Sequence, residues 1–261
     1  MFNYFGYGSN MNGVSLRAKG VVPHESTVAQ LPGWRLRFNV AHYFRHEGGV
    51  ANIERSDDPS DRVLGLVHRC DDDALARLDV AEAYPYGYDR IELTLDCAWG
   101  PTTAIAYVGM PAFLDDACLP SQRYLNILVA GAAEAALDER YVEQLRSHPT
   151  LQASRRPPFV PPGDHGVSLT LEELAAHPAL TGLAGHVFDM SAGPPHHRFL
   201  IESFGGRDMT VFHLRRLDTS DGTETLDLVT EDRLSRHQLD YLDGYLHEYD
   251  AKYRYVGVVR Y

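Results

Sequence analysis

The stretch Asn3-Tyr4-Phe5-Gly6-Tyr7-Gly8-Ser9-Asn10-Met11 constrains the fold more than any other part of this chain. Met1, Phe2, Tyr4, Phe5 and Tyr7 are apolar or aromatic and run into Gly-Ser-Asn, the pattern of a buried strand that stops at a polar turn. Gly6 and Gly8 bracket Tyr7. Without a Cβ they admit positive φ and let a ligand approach the backbone, so successive N–H groups can converge on an anion such as a carboxylate. The same residues also fit a plain strand-turn-helix joint, with Asn10 or Asn12 capping a short helix over Val14 to Lys19. A dinucleotide fingerprint does not fit, because Met11 stands where that motif needs a third glycine for close helix packing.

With 261 residues and 29.2 kDa, the chain is long enough for two modest domains. Its formal net charge of −12 argues against a nucleic-acid partner, which needs a basic face, and against anionic membranes. Cys70, Cys97 and Cys118 are too few and too scattered for a disulfide framework or a zinc site, so they are expected to be structural thiols in a reducing compartment. The N-terminus lacks the charged and apolar regions of a secretory signal. The most apolar run, Ile127 to Leu137, is too short to span a bilayer and contains Glu134. The expectation is a cytoplasmic protein that binds a small molecule and needs no cofactor, with a homodimer left open.

Along the first half, Trp34 to Phe38 and Gly48 to Glu54 alternate as half-buried strands, and Val63 to Val67 reads as a central one. Asp71 to Glu82 reads as a helix with an acidic start and a buried face marked by Leu75 and Leu78. Continuing that face places Glu82 where a leucine is expected. A buried, unpaired carboxylate is costly as an anion and is kept only where function demands it. If the helix instead ends near Ala81, Glu82 sits in solvent. Strands follow at Ile91 to Leu95, with Tyr88 and Arg90 sharing a face just before it, and at Thr102 to Val108. Helices open at Pro120-Ser121 and run from Leu137 to Leu145. Strands with interspersed helices define an α+β, barrel-like domain over residues 1–150.

Residues 151–166, with Arg155-Arg156 and Pro157-Pro158-Phe159-Val160-Pro161-Pro162, read as a proline-rich linker. A smaller C-terminal α+β module is expected over 167–261. Thr170-Leu171-Glu172-Glu173 fits a capping box for a short helix ending at His177-Pro178. Met209 to Leu217 and Thr223 to Val229 read as a hairpin around Asp218 to Gly222. Asp232 to Tyr249 is expected as an amphipathic helix whose apolar face Ser235 and Gln238 interrupt, and Tyr253 to Tyr261 as a final strand. His196-His197, His237 with Asp240, and His247 lack metal-ligand spacing, so no metal is expected.

The first half resembles the γ-glutamylcyclotransferase family. The resemblance rests on Tyr4-Phe5-Gly6-Tyr7-Gly8-Ser9-Asn10, Gly48-Gly49-Val50-Ala51, Leu78-Asp79-x-x-Glu82 followed by Tyr88, Pro120-Ser121-x-x-Tyr124 leading to Gly131-Ala132, and Leu137-x-x-x-Tyr141. It implies a compact β-barrel decorated by helices, with Glu82 as the catalytic acid/base and Tyr4 to Ser9 as the substrate loop. Tyr124 would help line the same pocket, and Tyr88 and Tyr107 fall at aromatic positions of the family. The loop reads Tyr-Gly-Ser-Asn, similar to the branch acting on γ-glutamyl amino acids, and lacks the Tyr-Gly-Ser-Leu of the glutathione-specific branch.

The residues suit that chemistry. A γ-glutamyl amide carries its own nucleophile, the α-amino group, so orientation supplies much of the acceleration and no covalent intermediate is needed. One carboxyl can take a proton from the α-ammonium and return it to the leaving amine. Neither a His-Glu-x-x-His nor a Gly-x-Ser-x-Gly motif is present. Two other readings stay open: a non-catalytic binding or regulatory protein on the same fold, and a bifunctional protein with separate C-terminal chemistry.

Overall fold

The structure is a computed structural model that describes residues 1–152, 156–163 and 166–261. Arg155 of the expected linker lies outside the described residues. The chain forms two compact units, residues 1–153 and 154–261.

In the first unit, β1 (Phe2–Gly6), β5 (Arg62–Cys70), β2 (Glu25–Pro32), β6 (Tyr88–Cys97) and β7 (Gly100–Gly109) close into a barrel in that order. β1 runs antiparallel to β5, with Tyr4 opposite His68 and Phe5 opposite Val67, and parallel to β7. Alternation along β1 decides what each side chain does. Phe5 enters the barrel core with Val67, Leu95 and Ala104, whereas Tyr4 joins a second apolar cluster with Leu16, Leu78 and Tyr107. β3 (Trp34–Ala41) and β4 (Gly49–Arg55) pair separately as a two-stranded sheet. This agrees with the expected γ-glutamylcyclotransferase-like barrel with flanking helices.

Three helices position the site. α1 (Gly13–Ala18) is capped by Asn12, whose Oδ1 accepts from the Ser15 N–H at 3.0 Å, which releases Asn10 for other work. α3 (Gln122–Glu134) is capped by Ser121, buries Tyr124, Leu125, Leu128, Gly131 and Ala132 on one face, and is followed by α4 (Glu139–Arg146). A Cβ on Gly131 would stand 2.5 Å from the Asn12 backbone nitrogen, so only glycine lets α3 lie directly against the turn after β1. The start of this helix is tied down by Arg123, whose Nε donates to the buried Glu47 carboxylate at 3.0 Å.

α2 (Asp73–Ala81) stops one residue before Glu82, so the helix ends where the shorter reading has it, yet Glu82 does not face solvent. The ending explains this. Ala83 has φ +52, its N–H donates to the Val80 carbonyl at 3.2 Å, and the Tyr84 N–H donates to the Asp79 carbonyl at 2.8 Å. That is the paired hydrogen-bond pattern of a Schellman ending, with alanine in the left-handed position that glycine usually takes. The reversal fixes the direction in which Glu82 leaves the helix.

The second unit holds a five-stranded sheet in the order β11 (Arg207–Asp208), β9 (Leu180–Leu183), β10 (His186–Asp189), β12 (Arg254–Arg260) and β8 (Val167–Thr170). Helices α5 (Leu171–Ala175), α6 (Arg198–Phe204) and α9 (Arg236–Lys252) accompany it. The capping box at Thr170 and Glu173 is present. Ser235 and Gln238 do not interrupt a buried face but form a second capping box, which starts α9 four residues later than expected. The expected hairpin over 209–229 is incorrect. Its arms are the short helices α7 (Thr210–Leu214) and α8 (Asp227–Thr230), and Met209, Thr210, His213, Leu214 and Leu217 are buried at helical spacing rather than on alternate residues.

Replacing Ala83 with glycine removes the left-handed penalty at the cost of a single Cβ. Ala83→Gly is expected to stabilise the protein by about 0.5–1 kcal/mol, read from the urea midpoint; a lower midpoint would contradict the assigned ending.

Candidate active site

Nine of the sequence-predicted residues line one cavity: Tyr4, Tyr7, Gly8, Ser9, Asn10, Glu82, Tyr88, Tyr107 and Tyr124, joined by Ala51. Phe5 and Gly6 do not. Phe5 belongs to the barrel core, and Gly6 packs beneath the turn, where a Cβ would stand 3.1 Å from both the Asn10 carbonyl and His68 Nε2. The cavity sits where the two apolar clusters meet, since Tyr7 and Tyr124 come from one and Tyr4 and Tyr107 from the other. It encloses about 30 Å³, room for roughly one or two waters. A larger hollow of about 410 Å³, lined by Met11, Leu16, Val28, Leu66 and His68 among others, lies on the far side of the turn and shares none of the tyrosines or Glu82. Chemistry therefore favours the smaller cavity despite its size.

The glycine of the turn works by proximity, not by positive φ. Gly8 has φ −110, and a Cβ there would approach the Ala51 Cβ to 3.0 Å and the Tyr124 hydroxyl to 3.2 Å. The Tyr124 hydroxyl accepts from the Ala51 N–H at 3.0 Å. Tyr88 donates to the Ala51 carbonyl at 2.8 Å, and Tyr107 donates to Asp79 Oδ1 at 2.7 Å, with Arg90 3.3 Å from the other Asp79 oxygen.

Glu82 is 16% exposed and is not unpaired. Its Oε1 accepts from Asn10 Nδ2 at 3.0 Å and lies 3.9 Å from Lys19 Nζ. Asn10 Nδ2 also donates to the Tyr4 hydroxyl, and Lys19 donates to Asn10 Oδ1 and, at 3.2 Å, to Ser9 Oγ. Burial, with the charge of Glu82 adding to it, holds the phenols of Tyr4, Tyr7 and Tyr88 well above their ordinary value and pushes Tyr124 up to about 12. They stay protonated at neutral pH and serve as neutral hydrogen-bonding groups.

Lys19, Tyr43, Ala51 and His68 are site residues that sequence reasoning missed. Burial first, then the Glu82 charge, raises the Tyr43 hydroxyl, which stands over Gly87 so closely that a Cβ there would come within 2.3 Å. His68 supports the turn from below. Its Nε2–H donates to the Asn10 carbonyl at 3.0 Å, its Nδ1 accepts from the Ser26 hydroxyl at 2.7 Å, and its ring stacks on Tyr4 at 5.9 Å. Burial lowers this imidazole to about 4.

Among the described residues, no group of three or more His, Cys, Asp or Glu side chains could hold a metal, and no helix is long and apolar enough to cross a membrane. The histidines singled out in the second half are engaged elsewhere: His197 with the Tyr253 hydroxyl at 2.8 Å, His237 with Asp218 at 3.3 Å and His247 with the Pro157 carbonyl at 2.9 Å.

A closed five-stranded barrel with a tyrosine-walled cavity and a carboxylate at its margin defines a γ-glutamylcyclotransferase-like fold. Comparisons with known proteins agree. Residues 62–145 match the AIG2-like family. The gamma-glutamylcyclotransferases of Mus musculus and Homo sapiens are each 29% identical to this chain over 150 residues, 56% of this chain and 78% of each relative. A solved gamma-glutamyl cyclotransferase matches with a TM-score of 0.52 and 26% identity, covering 59% of this chain and 92% of that one. A human protein described as uncharacterized matches with the same TM-score and coverage at 27% identity. Somewhat more than half of the chain is therefore similar to γ-glutamylcyclotransferases in sequence and fold.

His68 gives this unit an acid sensitivity of predictable sign. The unfolded imidazole takes its proton near pH 6.5 and the folded one only near 4, so acidification across that window favours the unfolded chain. His42, lowered by burial to about 4, acts in the same direction. His68→Gln should make the fall in unfolding free energy between pH 6.5 and 4 shallower in denaturant titrations; an unchanged slope would mean that His68 is protonated as readily folded as unfolded.

Proposed function

We propose that this protein is a γ-glutamylcyclotransferase-like enzyme that cleaves a γ-glutamyl amide by attack of the substrate's own α-amino group, releasing 5-oxoproline and a free amine or amino acid. Residues 1–150 are proposed as the catalytic domain and 167–261 as a second domain, with 151–166 between them. The observation that carries the reading is the Glu82 carboxylate, held at the edge of a cavity whose walls are otherwise glycine, hydroxyl, amide and phenol. The names of the relatives, gamma-glutamylcyclotransferase in mouse and human, support the same reaction class.

The reaction needs few protein groups. Glu82 takes a proton from the α-ammonium, the freed nitrogen attacks the γ-carbonyl carbon, and a five-membered lactam closes as the bond to the leaving amine breaks. The proton on Glu82 passes to the leaving nitrogen, and the restored carboxylate then takes the second proton that the ring nitrogen sheds to become a neutral lactam and hands it to the departing amine, which leaves as an ammonium. Because nucleophile and electrophile sit in one molecule, holding the glutamyl chain folded supplies most of the acceleration. Tyr4 accepts from Asn10 and Tyr124 accepts from the Ala51 amide, so each phenol has its own proton left to offer the substrate's carboxylate or the developing oxyanion. Tyr7, Gly8, Ser9, Asn10, Tyr88 and Tyr107 complete the proposed binding surface, with Phe5 and Gly6 supporting it from behind.

Glu82→Gln keeps the shape of the side chain and removes its ability to accept a proton. The variant is expected to fold with the thermal midpoint within a few degrees of wild type and to lose at least about 1,000-fold in 5-oxoproline release, measured by chromatography after a screen of γ-glutamyl amides against the wild-type protein. Wild-type turnover by Glu82→Gln would remove this residue from the mechanism.

A further inference from the structure

Lys19 follows α1, nine residues beyond Asn10 and outside the loop motif itself, yet its side chain is only 10% exposed and its ammonium reaches the site. It donates to Ser9 Oγ at 3.2 Å and to Asn10 Oδ1, and stands 3.9 Å from Glu82 Oε1. Asn10 lies between the cation and the anion. A primary amide has two nearly isosteric orientations, one presenting oxygen and the other NH₂ to a given neighbour. An ammonium can only donate and a carboxylate can only accept, so Lys19 on one side and Glu82 on the other permit a single orientation. Reversing the amide would set an NH₂ against an ammonium and an oxygen against a carboxylate.

We propose that Lys19 is a positioning residue that locks the Asn10 amide so that its Nδ2 is always offered to the Glu82 carboxylate and the Tyr4 hydroxyl. This inference rests on the function proposed above for Glu82. Other groups facing Glu82 do not substitute for Lys19. Tyr4 from β1, Tyr43 from the segment after β3, Tyr88 from β6, Tyr107 from β7 and Tyr124 from α3 are phenols held neutral by burial. Arg90, also on β6, is directed at Asp79. The lock matters once Glu82 has taken the substrate's proton: a protonated carboxyl can donate as well as accept, so without Lys19 the amide is free to turn over and the proton no longer holds one place relative to the leaving nitrogen. Because the group misplaced is the proton carrier, while the tyrosine and glycine walls that hold the glutamyl chain are unchanged, the loss falls on kcat rather than on KM.

Three variants test this. Lys19→Met keeps the apolar stem and removes the charge, Lys19→Gln can donate or accept and so dictates no orientation, and Lys19→Arg keeps an obligate donor. Lys19→Met and Lys19→Gln are expected to lose about 30- to 100-fold in kcat with KM within about 3-fold, while Lys19→Arg stays within about 5-fold of wild type. Equal losses in all three, or a loss confined to KM, would overturn the proposal. A second readout does not need turnover: the side-chain ¹⁵N–¹H₂ signals of Asn10, identified by their disappearance in Asn10→Asp. They should be a sharp, slowly exchanging pair in wild type and Lys19→Arg, and should broaden or shift in Lys19→Met and Lys19→Gln. Unchanged Asn10 signals in those two variants would refute the lock. If wild type released no 5-oxoproline from any γ-glutamyl amide, the proposed reaction would fall, while the amide signals would still decide the role of Lys19.

Discussion

The hydrogen bond from the Asn10 amide to the Glu82 carboxylate is the contact on which the site depends. It joins two segments separated by 72 positions, the turn after the first strand and the end of α2. Every nearby feature serves one end of it. On the turn side, Asn12 takes over helix capping so that Asn10 is free, Gly131 lets α3 press against the turn, and His68 holds the Asn10 carbonyl from beneath. On the helix side, the left-handed Ala83 and its paired hydrogen bonds reverse the chain and aim Glu82 inward. An anion this poorly exposed is tolerable because it has a donor at 3.0 Å and a cation at 3.9 Å, in place of the water it has lost.

The barrel turns a one-dimensional pattern into this arrangement. The period of two along β1 sends Phe5 into the core and Tyr4 toward α2, and the antiparallel register with β5 sets Tyr4 directly across from His68. The stacked pair then carries the turn. A one-residue slip of β1 would exchange Tyr4 and Phe5, place a phenol in the barrel core and strip the site of both Tyr4 and the His68 support.

Much of this was legible in the sequence, because the informative signals were local. A strand running into Gly-Ser-Asn, a carboxylate one step beyond a leucine face and a serine three residues before Tyr124 each report on neighbours within a turn or two. The capping box at Thr170 was read for the same reason. What escaped depends on distant partners. Lys19 looks like an ordinary end-of-helix cation until the turn folds back on it, and nothing near His68 says that its ring will meet the Asn10 carbonyl. Gly8 suggested an unusual φ, whereas its use lies in the nearness of Ala51 and Tyr124, both far along the chain. In the second unit, Met209 to Leu217 carries apolar residues at spacings compatible with either period, and tertiary packing chose the helical one. Ser235 and Gln238 look like defects in an apolar stripe that begins at Asp232, whereas the helix begins at Arg236 and the two residues cap it.

One phenolic oxygen, that of Tyr124, accepts from the Ala51 amide of β4 and stands where a Cβ on Gly8 would come within 3.2 Å. Loop and β4 are therefore spaced by a single ring at the start of α3. Even a methyl group at position 8 would act as a wedge, driving that ring off β4 and undoing the spacing from the inside.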